Sequence, residues 1–194
     1  MAWDPRIDVD ALTAIDVHVH VHASSWRSTA QGESLQAMAD YFGTDDVLQT
    51  AEQIADYYRS RKMAAIIFGV DNITSSENDL QPSNDEIAET AAAHSDVLIP
   101  FASIDPRRGK AGAEEAERLI EEHNVQGFKF HPSIQAFHPN DGTAYPLFEV
   151  IERYERVALF HTGQTGMGSG APGGGGIRLK YSNPMSIDDV AVDF

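Results

Sequence analysis

Histidines alternate with valines near the start of the chain. The run IDVHVHV at residues 15–21 has strict period-two alternation, which predicts a β-strand with a polar face carrying Asp16, His18 and His20. The α-carbons of His18 and His20 would be about 6.6 Å apart, so both imidazoles can reach one metal ion. His22 would lie about 13 Å from His18 and is interpreted as a neighbour of the site. The alternative is a polar strand face with chance histidines, which is costly unless they have partners.

Two later strand ends supply further candidates. The motif FHTG at 160–163 puts His161 at the end of a predicted strand, where a barrel carries catalytic residues, and makes it the natural third metal ligand. The alternative is a histidine that leads the strand into a glycine-rich loop. In GFKFHP at 127–132, Lys129 and His131 share a strand face.

A lysine inside a strand rarely stays charged without a partner, so we expect Lys129 and His131 to bind an anionic substrate. Two alternatives stay open for Lys129. Carbamylation would let it bridge two metals, and a barrel carboxylate would make it a structural ion pair.

The segment 163–176 holds 8 of the 15 glycines of the chain. Its GMGSGA stretch nominally matches a dinucleotide fingerprint, but Pro172 and four glycines follow where that fingerprint needs a helix. We therefore expect a mobile loop over the site, with a plain surface loop as the alternative. The other histidines, His94, His123 and His138, are expected to be solvated.

Strand and helix patterns repeat along the chain and must position these residues. Strands are predicted at 15–21, 64–70, 97–104, 125–131 and 157–161. Between them, Thr44 is predicted to cap a helix that runs to about Tyr58, and Ser83 with Glu86 forms a capping box for the next helix. Ser186, with Asp189 as its capping partner, begins a sixth helical pattern close to the last residue.

This βα repeat predicts parallel strands in either an open doubly wound sheet or a closed (β/α)₈ barrel. A barrel would need roughly 90 further residues. We therefore expect residues 1–194 to be the N-terminal part of a single TIM-barrel domain, with about five of eight βα units, and to be poorly soluble and inactive when made alone. A complete, metal-free flavodoxin-like binding domain is the alternative.

Composition narrows the function classes. The chain has 14 Lys and Arg against 30 Asp and Glu, a net charge of −16, which disfavours nucleic acid and membrane surfaces as partners. It has no cysteine, so any metal must be held by histidine and carboxylate. The longest apolar run, Met63–Val70, is far below the roughly 20 residues of a membrane span. We expect a cytoplasmic protein with a small-molecule substrate, and homo-oligomerisation stays open.

The motifs IDVHVH, GFKFHP, FHTG and the run YSNP at 181–184 together resemble the amidohydrolase-related family that includes aminocarboxymuconate semialdehyde decarboxylase. The stretch HTGQTGMGSGAPGGGG is most similar to its branch of 4-hydroxyphenyl-β-ketoacyl-CoA hydrolases. The resemblance implies a (β/α)₈ barrel with one divalent ion, usually zinc, held by His18, His20, His161 and an aspartate after strand eight. It also implies a catalytic histidine after strand six, so both missing groups are expected beyond residue 194.

The resemblance implies a metal-dependent hydrolase in which activated water attacks a carbonyl, such as that of an aromatic β-ketoacyl-CoA. The alternative with the same ligands is non-oxidative decarboxylation of an aromatic or muconate-type acid.

Overall fold

Five parallel strands form one curled sheet in the computed structural model, which describes residues 1–22, 30–44, 50–72 and 82–194. Each predicted strand is present, with ends that differ by at most two residues. The strands are β1 (Ala14–His20), β2 (Met63–Phe68), β3 (Leu98–Ala102), β4 (Gly127–Phe130) and β5 (Val157–Phe160).

Helices precede or follow the strands in the βα order that the sequence predicts. They are α1 (Ala30–Phe42), α2 (Ala51–Ser60), α3 (Asn84–Ala93), α4 (Lys110–His123), α5 (Pro132–Gln135), α6 (Tyr145–Arg153) and α7 (Met185–Asp193). The predicted capping box at α3 is confirmed, because the Ser83 hydroxyl accepts from the Glu86 N–H while the Glu86 carboxylate accepts from the Ser83 N–H.

Two predicted helix starts are wrong. Thr50, rather than Thr44, caps α2 through a reciprocal pair of hydrogen bonds with Gln53. Thr44 instead follows the end of α1, where its N–H donates to the carbonyl of Ala39, and residues 45–49 lie outside the described part of the chain. The predicted sixth helix is present as α7, but it begins one residue earlier at Met185, so Ser186 lies inside it and does not cap it.

The strand order distinguishes the two folds that the βα repeat allows. Neighbours in the sheet follow chain order from β1 to β5, and all four pairings are parallel. A doubly wound sheet reverses its strand order at a switch point, whereas a barrel adds each strand on the same side. The curled sheet is therefore part of a TIM barrel, and the flavodoxin-like alternative is wrong.

The apolar core lies between the convex side of the sheet and the helices, in two clusters. One surrounds Phe128, Phe130 and Phe148, and the other surrounds Ile54 and Ile67. Phe68 is also fully buried, but its ring contacts the histidines of β1 on the concave side of the sheet. The two clusters thus hold the strands in place from outside, while Phe68 packs beside the histidines on the inner side.

The expectation that His94, His123 and His138 are solvated is wrong for His123. It is buried, and its Nε2 lies 2.9 Å from Asp85 Oδ1, a residue 38 positions earlier. His94 and His138 are half-buried, beside Arg59 and Tyr181 respectively. No helix in the described ranges is long and apolar enough to cross a membrane.

Candidate functional site

The predicted site residues lie together at the carboxyl ends of β1, β4 and β5. His18 and His20 end β1, Lys129 lies in β4, and His131 and His161 directly follow β4 and β5. In a parallel barrel this end of the sheet carries the active site. The structure therefore brings together five residues that are spread over more than 140 positions of the chain.

A bulge in β1 changes the predicted alternation. The pairing with β2 shifts between Asp16 and Val19, so that β1 has one more residue than β2 in this stretch. As a result Asp16 does not share the histidine face: its Oδ2 accepts a hydrogen bond from the Tyr58 hydroxyl, on the helix side of the sheet. The prediction that Asp16 lies on one face with His18 and His20 is wrong, because strict alternation assumes an unbroken register.

His18 and His20 converge as a metal-binding pair would. Their Nε2 atoms are 3.2 Å apart. Two imidazoles bound tetrahedrally to one ion at about 2.05 Å would have nitrogens about 3.3 Å apart. Burial lowers the pKa of His20 to about 3 and also lowers the pKa of His18. Both rings are therefore neutral at pH 7, which is the form that binds a metal.

His161 lies beside this pair but is oriented differently. Its Nε2 is buried and has no hydrogen-bond partner among the described residues. Its ring stacks on that of His131, with centroids 4.0 Å apart and an interplanar angle of 8°. In the described ranges, no group of three or more His, Asp or Glu side chains is close enough to hold an ion without rearrangement. The donor set of the pair and the unpartnered nitrogen fit a divalent metal, and His161 would have to turn to complete it.

Lys129 is fully buried between the aromatic and histidine side chains of the site. Its Nζ lies 3.4 Å from His18 Nε2 and 5.0 Å from the centre of the Phe68 ring. Among the described residues it forms no ion pair with a carboxylate, so the structural ion pair that the sequence left open is not observed. Burial lowers its pKa to about 8, which still leaves it protonated at neutral pH.

His131 is held by neighbours that sequence patterns do not indicate. Its backbone N–H donates to Gln135 Oε1 at 2.7 Å. The Nε2 of Gln135 in turn donates to the carbonyl of Asp71 at 2.7 Å and to that of Ile104 at 3.3 Å. Gln135 is fully buried and so links the loops after β2, β3 and β4. Burial, together with the nearby His161 and Lys129, lowers the pKa of His131 to about 2.

The glycine-rich segment also reaches the site. Its first residue is bonded to a residue that follows the segment: the Gly163 N–H donates to the Ser182 carbonyl and the Ser182 hydroxyl donates to the Gly163 carbonyl, both at 2.8 Å. Within it, Thr165 Oγ1 lies 3.4 Å from His131 Nε2. The sequence placed this segment near the site through its neighbour His161, but nothing in its composition singled out Thr165.

Comparisons with solved structures agree with this architecture. The chain is 15% identical to 5-carboxyvanillate decarboxylase from Sphingomonas paucimobilis, with a TM-score of 0.55 over 92% of this chain and 61% of that one. It is 13% identical to the manganese-bound enzyme from Novosphingobium aromaticivorans, with a TM-score of 0.64 over 95% and 62%. It is 15% identical to 4-oxalomesaconate hydratase from Rhodopseudomonas palustris, with a TM-score of 0.51 over 76% and 51%.

At these identities the likeness establishes the fold, and the chain spans about three fifths of the length of the two decarboxylases. No curated protein matches the chain significantly. The amidohydrolase family profile, however, matches residues 15–194, from the histidine strand to the last residue. The motifs at the strand ends, the curled parallel sheet and this match lead to one conclusion: the chain belongs to the amidohydrolase family.

Proposed function

We propose that residues 1–194 are the N-terminal part of a single-domain, metal-dependent barrel enzyme that decarboxylates an aromatic or muconate-type acid. One observation carries this proposal: the buried Lys129 Nζ lies 3.4 Å from His18 Nε2, beside a converging pair of imidazoles. Burial lowers the pKa of Lys129 only to about 8, which favours the ammonium form at neutral pH. A buried ammonium without a carboxylate partner attracts a substrate anion. Decarboxylases among the solved relatives favour this reaction over the hydrolysis that the sequence put first.

In this proposal His18, His20 and His161 hold one divalent ion. When bound, the ion would supply positive charge that binds the substrate carboxylate and an adjacent oxygen. We expected zinc from the resemblance, whereas a structural relative contains manganese, so both ions are candidates.

The described residues have separate roles in substrate binding. The Lys129 ammonium would neutralise part of the negative charge on the bound acid, in a site where Phe68 excludes water from one side. His131, directly after the strand that carries Lys129, would also contact the substrate, with Thr165 close to its Nε2. Decarboxylation replaces the carboxyl group by a proton on the same carbon, and we place the residue that donates this proton beyond position 194, as the family resemblance implies.

Hydrolysis is the second candidate. The glycine-rich segment that resembles the β-ketoacyl-CoA hydrolase branch lies beside His131 at Thr165, where it would contact a long substrate. The two reactions differ in their products. Carbon dioxide released from an aromatic acid would support decarboxylation, and a carboxylic acid formed from an aromatic β-ketoacyl thioester would support hydrolysis.

Metal content tests the proposed ligands directly. In the full-length protein, we expect His18→Ala or His20→Ala to lower bound zinc or manganese to well below one equivalent, as measured by elemental analysis after dialysis. His94→Ala is the matched control, because His94 lies at the end of α3 beside Arg59 and is expected to leave the metal content unchanged. Undiminished metal in both β1 variants would refute the assignment.

Lys129→Met separates substrate binding from metal binding. If Lys129 binds the substrate anion, this variant of the full-length protein keeps its metal and loses turnover on the acid that the parent full-length protein converts. Loss of about half of the metal would instead indicate a carbamylated lysine that bridges two ions.

A further inference from the structure

We propose that Asp16 and Tyr58 act together as positioning residues for His18 and His20. The pair would hold the bulged segment of β1 in the conformation that makes the two imidazoles converge. This inference rests on the proposed metal-binding role of the histidines, and its test includes a readout that needs no metal.

The contacts of the Asp16 carboxylate link the helix layer to the histidine segment. Its Oδ1 accepts a hydrogen bond of 2.9 Å from the backbone N–H of His18, and its Oδ2 accepts one of 2.6 Å from the Tyr58 hydroxyl. Both carboxylate oxygens are therefore used. The first bond restrains the backbone of a proposed metal ligand, and the second fixes the carboxylate itself.

The bulge explains why this segment needs such a restraint. Regular pairing between β1 and β2 stops after Asp16 and resumes at Val19, so the residues between them lie outside the regular ladder. A strand segment that leaves the ladder gains freedom unless side chains replace the lost hydrogen bonds. The Asp16 carboxylate supplies such a bond at His18, one of the two residues in the bulge.

Tyr58 is a rigid anchor for this contact. It lies in the last turn of α2 and packs against the core cluster around Ile54 and Ile67. Burial and the neighbouring Asp16 carboxylate raise its pKa well above the ordinary value, so its hydroxyl stays protonated and available as a donor. A link thus runs from the core, through Tyr58 and Asp16, to the histidine pair.

The adjacent tyrosine provides a matched control. Tyr57 lies on the same helix, and 44% of its side chain is exposed. Its ring contacts the Tyr58 ring, with centroids 5.2 Å apart, and the Arg61 guanidinium at 3.5 Å. Tyr57→Phe therefore removes the same hydroxyl group from a position outside the link to Asp16.

Manganese binding provides the first test. Manganese would be titrated into the metal-free protein and followed by the EPR signal of free Mn²⁺. We expect Tyr58→Phe to bind Mn²⁺ about tenfold more weakly than the parent, the lower end of the range for residues that orient metal ligands, and Tyr57→Phe to bind like the parent. Because Tyr58 acts through Asp16, adding Tyr58→Phe to Asp16→Ala should weaken binding little further. Equal affinities of Tyr57→Phe and Tyr58→Phe, or fully additive losses, would overturn the inference.

Imidazole NMR of the metal-free protein provides the second test. The ring ¹⁵N and ¹³C resonances of His18 and His20 should move in Tyr58→Phe and in Asp16→Ala, while those of the distant His94 stay in place. Asp16→Ala carries the test if Tyr58→Phe proves unstable by circular dichroism. Selective shifts in a protein that binds no Mn²⁺ would support the positioning role and refute the metal-dependent function. Unchanged His18 and His20 resonances in both variants would refute the positioning role alone.

Discussion

Replacing Gln135 by methionine should strongly destabilise the protein, although methionine has nearly the same length and is more apolar. The fully buried amide makes two short hydrogen bonds of 2.7 Å, from the His131 N–H and to the Asp71 carbonyl, and a longer one of 3.3 Å to the Ile104 carbonyl. Methionine fills the space but satisfies none of these backbone groups.

The expected magnitude follows from the two short bonds. A buried polar group that loses its partner costs about 1–3 kcal/mol, so two such groups cost about 3 kcal/mol after some relief from water entry. With a urea dependence of about 2 kcal/mol per molar for a domain of this size, the unfolding midpoint should fall by about 1.5 M. The loss is smaller than the 5–15 kcal/mol that is typical of folded domains, so the variant should still fold in water.

Urea unfolding followed by far-ultraviolet circular dichroism measures this change, and Gln126→Met is the matched control. The Gln126 amide is half-buried and, among the described residues, donates only to the carbonyl and side-chain oxygens of Asn124, two positions away. We expect this control to shift the midpoint by less than about 0.5 M, because the Asn124 oxygens can form hydrogen bonds with water instead. If both variants shift the midpoint equally, the link that Gln135 makes between three loops contributes nothing specific.

Two further predictions concern packing and pH. A methyl group on Gly127 would lie 2.7 Å from the backbone carbonyl oxygen of Val157. Gly127→Ala should therefore lower the free energy of unfolding by about 1–3 kcal/mol, as measured by urea unfolding. Gly142→Ala is the control and should lower it little, because the space around Gly142 is open. A hydrogen bond from Arg118 lowers the pKa of Asp85 in the folded protein. The ionised carboxylate therefore stabilises the fold at pH values above the unfolded pKa of about 4. This stabilisation is lost as the pH falls through the lower pKa of the folded state. The difference in unfolding midpoint between the parent and Asp85→Asn should therefore be constant from pH 7 to about pH 5 and shrink towards pH 3, and a pH-independent difference would contradict this assignment.

The sequence predicted the elements that depend on local patterns. The alternation at 15–21 and the apolar run at 64–70 indicated strands that the structure contains, because side-chain periodicity follows directly from backbone geometry. The capping box at Ser83 could also be predicted from the sequence, since its two hydrogen bonds join residues three positions apart. The same local reasoning placed His18, His20 and His161 at strand ends, which the parallel sheet then brings to one edge.

Tertiary structure alone decided the features that depend on distant contacts. The choice between a barrel and a doubly wound sheet was settled by strand order, which no single strand encodes. The Asp16 carboxylate lies on the helix side of the sheet rather than on the histidine face, where Tyr58, 42 positions later, donates to it beside a bulge that alternation cannot predict. In the sequence, Gln135 resembles any polar residue of a short helix. Its role depends on the carbonyls of two other loops, which accept hydrogen bonds from its amide. Periodicity reports how a segment faces its surroundings, whereas these roles arise only when segments far apart in the chain pack together.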